Sequence, residues 1–331
     1  MFKYLIMIEP LGILYASQRS YLSSEYLVGI SAFSFPPNST TLSGLYASST
    51  DTQSIGNLQI AGPFWANSYD PQNFYIPTSL NYLLEKPIES TDGKICTAKI
   101  IDKLNFIENK LFIEESLSKK YSLSLGSWIS INEWLQPNIV YSPPWLFSPL
   151  LHYCVSNNQG NQSRLFLENA VQMYPDTCLV YLSNIPLSDG WYRFGGEGHM
   201  VEVNCLSLNV LTQQMLNQPL GKNFALITSA VWGSTRLSYS QPMIQVDNKL
   251  QPAWEVENII TLTPKPFRYR LGGKTNTKRL SRGRYAVSPG SIYSLKNPLK
   301  ESWYELSEDL FPTEGYNFKR WGCGLALPLP D

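Results

Sequence analysis

The sequence predicts an α+β chain of two domains in which strands outnumber helices. The chain has 331 residues, more than one small core usually holds, so two domains are expected. Apolar residues make up 43% and charged residues 16%, a balance that supports packed cores and excludes a chain disordered throughout. Period-two alternation of apolar and polar residues, the mark of a half-buried strand, recurs along the chain. It is plainest where Phe267, Tyr269 and Leu271 alternate with Arg268 and Arg270.

Taken in order, Phe2 to Ile8 is nearly all apolar and reads as a central strand. Asn38 or Ser39 is a good helix cap, so a short helix is expected to start there, with the hydroxyls of Ser39, Thr40 and Thr41 among its free N–H groups, a place suited to an anion. Gly62 to Leu84 reads as strands with a turn near Pro77, and Cys96 to Phe106 as a further strand. Ser130 and Glu133 have capping-box spacing, which predicts a helix ended by Pro137. Ser142 to Pro149 reads as a Pro-rich connection, Ser163 to Met173 as a helix, and Cys178 to Leu182 as a strand. A first domain is expected over 1–205, with a helical or loop insertion over about 107–150, and a second over 206–331. In the second, Asn223 to Val231 and Trp254 to Leu262 read as strands.

Charge is distributed unevenly. Formal net charge is zero, yet Asn258 to Lys300 holds ten Lys or Arg and no acid, so the remainder carries sixteen bases against twenty-six acids. A basic sector on an acidic body points to a local polyanion site. Its centre is Lys265 to Arg284, where Arg268, Arg270, Lys274, Lys278, Arg279, Arg282 and Arg284 crowd together. With Tyr285 and Val287 alternating against Arg284 and Ala286, residues 265–287 read as a β-hairpin with one apolar face, one basic face and a long cationic tip. Such an arm, next to aromatics, suits a phosphate backbone and unstacked bases.

Two glycine-rich bends follow the same logic. Gly195, Gly196 and Gly198 lie between two strands, beside Arg193 and His199. Their spacing matches neither a dinucleotide fingerprint nor a Walker loop. Gly315, Gly322 and Gly324 form a second loop with Tyr316, Asn317, Lys319, Arg320 and Trp321, a reasonable clamp for an RNA backbone. The cysteines Cys96, Cys154, Cys178, Cys205 and Cys323 lack zinc-site spacing, and neither a secretory signal nor a membrane-length apolar run is evident, so a cytoplasmic protein without metal or cofactor is expected.

Phe-Pro-Pro-Asn-Ser-Thr-Thr-Leu-Ser-Gly from Phe35, Arg-Phe-Gly-Gly-Glu-Gly from Arg193, Ala-Val-Ser-Pro-Gly-Ser-Ile-Tyr from Ala286, and Gly-Tyr-Asn from Gly315 with Trp-Gly-Cys-Gly from Trp321 occur in that order. The pattern resembles the RAMP superfamily of CRISPR-associated proteins, and most closely the third Cmr-type subunit of type III-B effector complexes. The resemblance implies two ferredoxin-like, RRM-like domains. It implies a non-catalytic subunit that grips the 5′ repeat-derived handle of the CRISPR RNA, docks on a polymerase-like large subunit and sits beside backbone RAMP subunits. RNA contacts would come from Arg19, Asn38, Ser39, Thr40, Arg193, the 195–199 bend, the basic hairpin, Ser288, Gly290 and the 316–321 loop. This chain departs from the family where Arg19 stands alone in Ser-Gln-Arg-Ser, Tyr46 follows the Ser-Thr segment, and His199 replaces an Arg.

Two rivals stay open at this stage. An endoribonuclease could use His199 as general base beside Arg193, since an imidazole can deprotonate a 2′-OH. A purely structural subunit could instead turn its basic sector toward an acidic protein surface.

Overall fold

The structure is a computed structural model that describes residues 1–15, 17–18, 32–33, 35–49, 55–88, 93–103, 122–154, 164–195, 198–233, 237–269 and 281–330. Its main elements are β1 (Tyr4–Pro10), α1 (Ser39–Ser49), β2 (Ile60–Asn67), β3 (Asp70–Pro77), β4 (Tyr82–Leu84), β5 (Thr97–Lys103), β6 (Ser122–Leu123), β7 (Trp128–Ser130), β8 (Ile139–Tyr141), β9 (Trp145–Cys154), β10 (Arg164–Met173), β11 (Thr177–Ser183), β12 (Gly190–Phe194) and β13 (His199–Ser207). The second half adds α2 (Val210–Leu216), β14 (Gly221–Leu226), β15 (Val256–Ile260), β16 (Lys265–Phe267), β17 (Arg284–Ala286), β18 (Ile292–Leu299) and β19 (Ala326–Pro328). The chain is thus mostly β, with two α-helices among the described residues and antiparallel pairing between the strands of its sheets.

Eleven strands form one sheet in the order β12-β13-β1-β11-β2-β3-β7-β8-β5-β4-β6, and four form another in the order β15-β18-β14-β19. Within the first, β13-β1-β11-β2 run fourth, first, third, second in chain order. The smaller sheet, read from β19, repeats that order. The 205/206 division falls inside β13, and residues 122–150 contribute strands to the large sheet.

β1 is apolar and buried from Leu5 to Ile8 because both its faces are covered there. Leu5 sits opposite Leu182 and Leu206, Met7 opposite Val180, and this face shares one core with Phe224, Leu226 and Tyr293 of the smaller sheet. Ile6 and Ile8 share the opposite face with Leu179 and Tyr181, closed over by Leu42, Leu45 and Tyr46 of α1. The first core is therefore continuous between the halves.

Three expectations are corrected. Residues 164–173 form strand β10, paired with β9 over ten positions from Trp145↔Met173 to Cys154↔Arg164. A short apolar run fits either periodicity, and the long-range partner decides. Of the Pro-rich stretch, residues 142–144 are the expected connection, whereas Trp145 to Pro149 begin β9, an edge strand of its three-stranded sheet, the place where a strand tolerates proline. Ser130 does not cap a helix. Its hydroxyl donates to Asn73 Oδ1 at 2.5 Å, and only a 3₁₀ turn, Ile131–Glu133, follows. As expected, the chain turns just after Pro77, between β3 and β4, while a further turn at residues 68–69 joins β2 to β3.

The halves close on each other at Gly322. Its φ of +67° lies in the left-handed region, and a Cβ there would sit 2.4 Å from that of Ala61 and 2.9 Å from the Ile60 carbonyl. Gly322→Ala is expected to cost roughly 2–4 kcal/mol, from left-handed strain and overpacking against β2 backbone. Urea unfolding checks this, and an unchanged midpoint would show that the two halves do not pack at Gly322.

Candidate nucleic-acid interface

A cleft of about 340 Å³ opens where the halves meet. From the first half it is lined by Phe35, Pro36, Asn38 and Ser39 before and at the start of α1, by Thr78 after β3, and by Trp128 and Trp145. From the second half come Lys265 and Phe267 of β16, Ser288 and Pro289, and Phe318, Trp321 and Gly322. Its walls are aromatic: Phe35 meets Trp145 edge-on at 4.9 Å, Trp128 meets Trp145 at 5.8 Å, and Phe318 lies 5.3 Å from Trp321. Thr78 and Ser288 each hold a buried hydroxyl without a hydrogen-bond partner. Segment 35–39 is fixed by Tyr181, whose hydroxyl donates to the Pro37 carbonyl at 2.5 Å.

Three of the four motif segments singled out in the sequence thus come together here. The fourth, at Arg193 to Gly198, is elsewhere, between β12 and β13. Arg193 and Gly195 are exposed there, His199 is half-buried opposite Phe194, and Gly198 faces the Arg193 side chain.

Gly290, Gly322 and Gly324 of the other motifs pack against protein. Gly290, at φ +82°, would bring a Cβ within 2.5 Å of the Thr78 carbonyl, and Leu80 N–H donates to the Gly290 carbonyl at 2.9 Å. Gly324 lies against Trp232. Gly315 alone in its loop faces open space, next to exposed Tyr316.

The cations divide in the same way. Arg19, Gly196, Arg270, Lys274, Lys278 and Arg279 lie outside the described residues. β16 and β17 pair antiparallel, with Phe267 opposite Arg284, but over Arg284–Ala286 the second strand has the opposite phase from that expected, while Val287 is buried as expected. Arg284 and Ala286 are buried and Tyr285 is exposed. Arg284 turns inward because Glu314 waits there: its Nη1 donates to Glu314 Oε2, and its guanidinium stacks 4.9 Å over Phe318. Glu314 also accepts from the Arg282 N–H at 3.1 Å, and its carbonyl accepts from the Tyr269 hydroxyl at 2.8 Å. The Arg282 side chain is exposed, and Arg268 lies against Gly283.

Lys319 is buried. Its ammonium donates to the Tyr304 carbonyl at 2.7 Å and to that of Leu306, and burial holds its pKa below the ordinary lysine range, with Glu308 opposing. Arg320 donates to the carbonyls of Leu58, Ile55 and Gly56 while lying 4.8 Å over the Tyr316 ring. Asn317 caps the 3₁₀ turn Phe318–Trp321 by accepting from the Lys319 N–H at 2.9 Å. Ser39, buried, donates to the Trp321 carbonyl at 2.5 Å, so it tethers α1 rather than capping it, while Asn38 precedes the helix and accepts at its carbonyl from Thr41 N–H. Thr40 is half-buried on the first turn. Sequence reading missed Glu314, Thr78, Trp128 and Trp145. Among the described residues, no group of three His, Cys, Asp or Glu could hold a metal ion, and no helix is long and apolar enough to cross a membrane.

No protein-family model matches the chain, and no curated protein does. Among solved structures, the chain is similar to one in a type III-B Cmr-beta complex bound to cognate target RNA, at 12% identity and a TM-score of 0.45, over 88% of this chain and 86% of that one. It is also similar to a chain of a Csm3-Csm4 subcomplex of a type III-A CRISPR-Cas interference complex, at 11% identity and a TM-score of 0.36, over 90% and 97%. A chain of a Csm1-Csm4 cassette in complex with cA4 is similar at 9% identity and a TM-score of 0.33. At these scores the likeness fixes no residue correspondence.

Glu314 titrates below the ordinary carboxylate value of 4.5: burial pushes it up, and the hydrogen bonds and charges of Arg284 and Arg282 outweigh that. A lowered folded-state pKa means the pair contributes fully above 4.5 and is lost as pH falls through the folded value. Glu314→Gln should therefore lower stability by roughly 2–4 kcal/mol at neutral pH, leaving Arg284 buried without a counter-charge, and the gap to the parent should narrow in acid. Urea titrations at neutral and acid pH check this; equal midpoints at neutral pH would refute it.

Proposed function

We propose that this chain is a non-catalytic subunit of a type III-B CRISPR RNA-guided effector complex. It grips the 5′ repeat-derived handle of the CRISPR RNA and docks on the polymerase-like large subunit and the backbone subunits. The observation that carries this reading is the cleft. Three segments that bear the sequence resemblance, distant along the chain, line one aromatic cavity directly beside the stem of the basic hairpin. Aromatic walls suit unstacked bases, and hydroxyls suit base edges or phosphate oxygens. The repeated strand order of the two sheets supports a pair of ferredoxin-like domains, the second carrying the hairpin.

In this reading the hairpin supplies affinity and the cleft supplies discrimination, because phosphate contacts position while base contacts specify. Replacing Lys278, Arg279 and Arg282 together by Ala should weaken binding of handle RNA and flatten the slope of log affinity against log salt by roughly 2, at about 0.7 per single-strand phosphate contact. Fluorescence anisotropy over a salt series measures both. Unaltered affinity and slope would make the hairpin a protein-docking arm instead.

The subunit binds RNA without cutting it. The chain has two histidines, His152 and His199, and His199 is half-buried opposite Phe194 on a strand pair away from the cleft, which favours binding over cleavage. Incubation of the purified chain with repeat RNA should leave the RNA intact; metal-independent cleavage abolished by His199→Ala would reverse the assignment.

A further inference from the structure

We infer that Arg320 is a positioning residue rather than a phosphate contact: it locks α1 to the base of the cationic hairpin. This role rests on the RNA-binding reading above, and it reassigns a residue that sequence alone places among the RNA contacts.

The geometry is a chain of contacts through one short turn. On one side, Arg320 donates from Nε to the Leu58 carbonyl at 3.1 Å and from Nη2 to the Ile55 carbonyl at 2.8 Å and to the Gly56 carbonyl. These carbonyls belong to the segment that trails α1. The Trp321 carbonyl, one residue on, accepts from Ser39 at the head of the same helix. The head of α1 and the segment that leads into β2 are thus held by consecutive residues of the Phe318–Trp321 turn. On the other side, that turn carries the hairpin stem: Tyr269 meets Trp321 at 4.6 Å, and Phe267 and the Arg284 guanidinium lie 5.9 Å and 4.9 Å from Phe318.

A guanidinium that satisfies three backbone carbonyls presents a fork of donors that an ammonium cannot reproduce. The same bonds aim its charge at its own chain. The head of α1, with Asn38 and Ser39, lines the cleft, and so do Phe267 and Trp321. By anchoring this turn to the segment before β2, Arg320 holds in place the Trp321 carbonyl that receives the helix head and the Phe318 ring that carries the hairpin base, the two parts of the interface that a bound strand would have to meet together.

The test uses the full chain carrying Arg320→Lys, Arg320→Ala or Ser39→Ala. The probe is a fluorescein-labelled single-stranded RNA carrying the repeat-derived 5′ segment. Amide hydrogen exchange is read without RNA. As a positioning residue, Arg320→Lys behaves like Arg320→Ala: exchange at residues 55–60 and along α1 speeds up, RNA affinity falls several-fold, and the salt slope keeps its parent value. Ser39→Ala, the mildest change, shows the same pattern in smaller degree and keeps the test open if an Arg320 variant fails to fold. A slope lowered by about 0.7 in Arg320→Ala, restored in Arg320→Lys, with exchange unchanged, would make Arg320 a phosphate contact and overturn the inference. Faster exchange with parental RNA affinity would also overturn it, since the placement of α1 would then not matter to RNA. If the parent chain itself binds no RNA, the proposed function fails, and this role with it, while the exchange data still report whether Arg320 tethers α1.

Discussion

The close approach of Gly322 to β2 is the constraint on which the rest of the molecule depends. A left-handed residue without a side chain lets the turn Phe318–Trp321 reach the first sheet at Ala61, and everything near the cleft hangs from that turn. Thr228 seals it by donating to the Gly322 carbonyl at 2.5 Å. Phe318 sits beneath the hairpin stem, Lys319 pins the 304–306 segment, Arg320 pins the segment after α1, and the Trp321 carbonyl holds the helix head. Four consecutive residues point in four directions, and each direction is a different part of the chain.

How much of this was legible in the sequence differs by type of signal. β1 and β11 were readable because strands covered on both faces carry near-continuous apolar runs, Leu5 to Ile8 and Cys178 to Leu182. α1 was readable from its polar head, Asn38-Ser39-Thr40. β10 was not, because a run such as Leu-Phe-Leu-Glu-Asn-Ala-Val fits either period and only its long pairing with β9 settles the matter. Glycine positions announced tight backbone at 195–198, 290 and 315–324, since few residues adopt positive φ. What the glycines made room for was not announced. At Gly290, Gly322 and Gly324 the close neighbour is the chain's own Thr78, Ala61 and Trp232.

The same limit governs the cations. A count of Lys and Arg gives the charge of a segment but not its address. Lys319 and Arg320 end on backbone carbonyls, and carbonyls leave no trace in a sequence because every residue has one. Arg284 ends on Glu314, thirty residues on, where an acid beside a glycine-rich loop gives no cue to its partner. The cleft escaped for a related reason. Of its aromatic walls, Trp145 sits in a stretch that reads as a Pro-rich connection and Trp128 in one without a signal, and only the fold stacks Trp128 and Phe35 on Trp145.

The central place of β1 has a consequence for how the protein is made. β1 is made long before its two partners, β11 and β13, which end at Ser183 and Ser207. At roughly 5–20 residues per second, the wait for both partners is on the order of 10–40 s. For that time a strand with two apolar faces and two bare edges has nothing native to pair with. Such a segment is the part of the nascent chain most exposed to wrong partners, and the one a chaperone would be expected to hold.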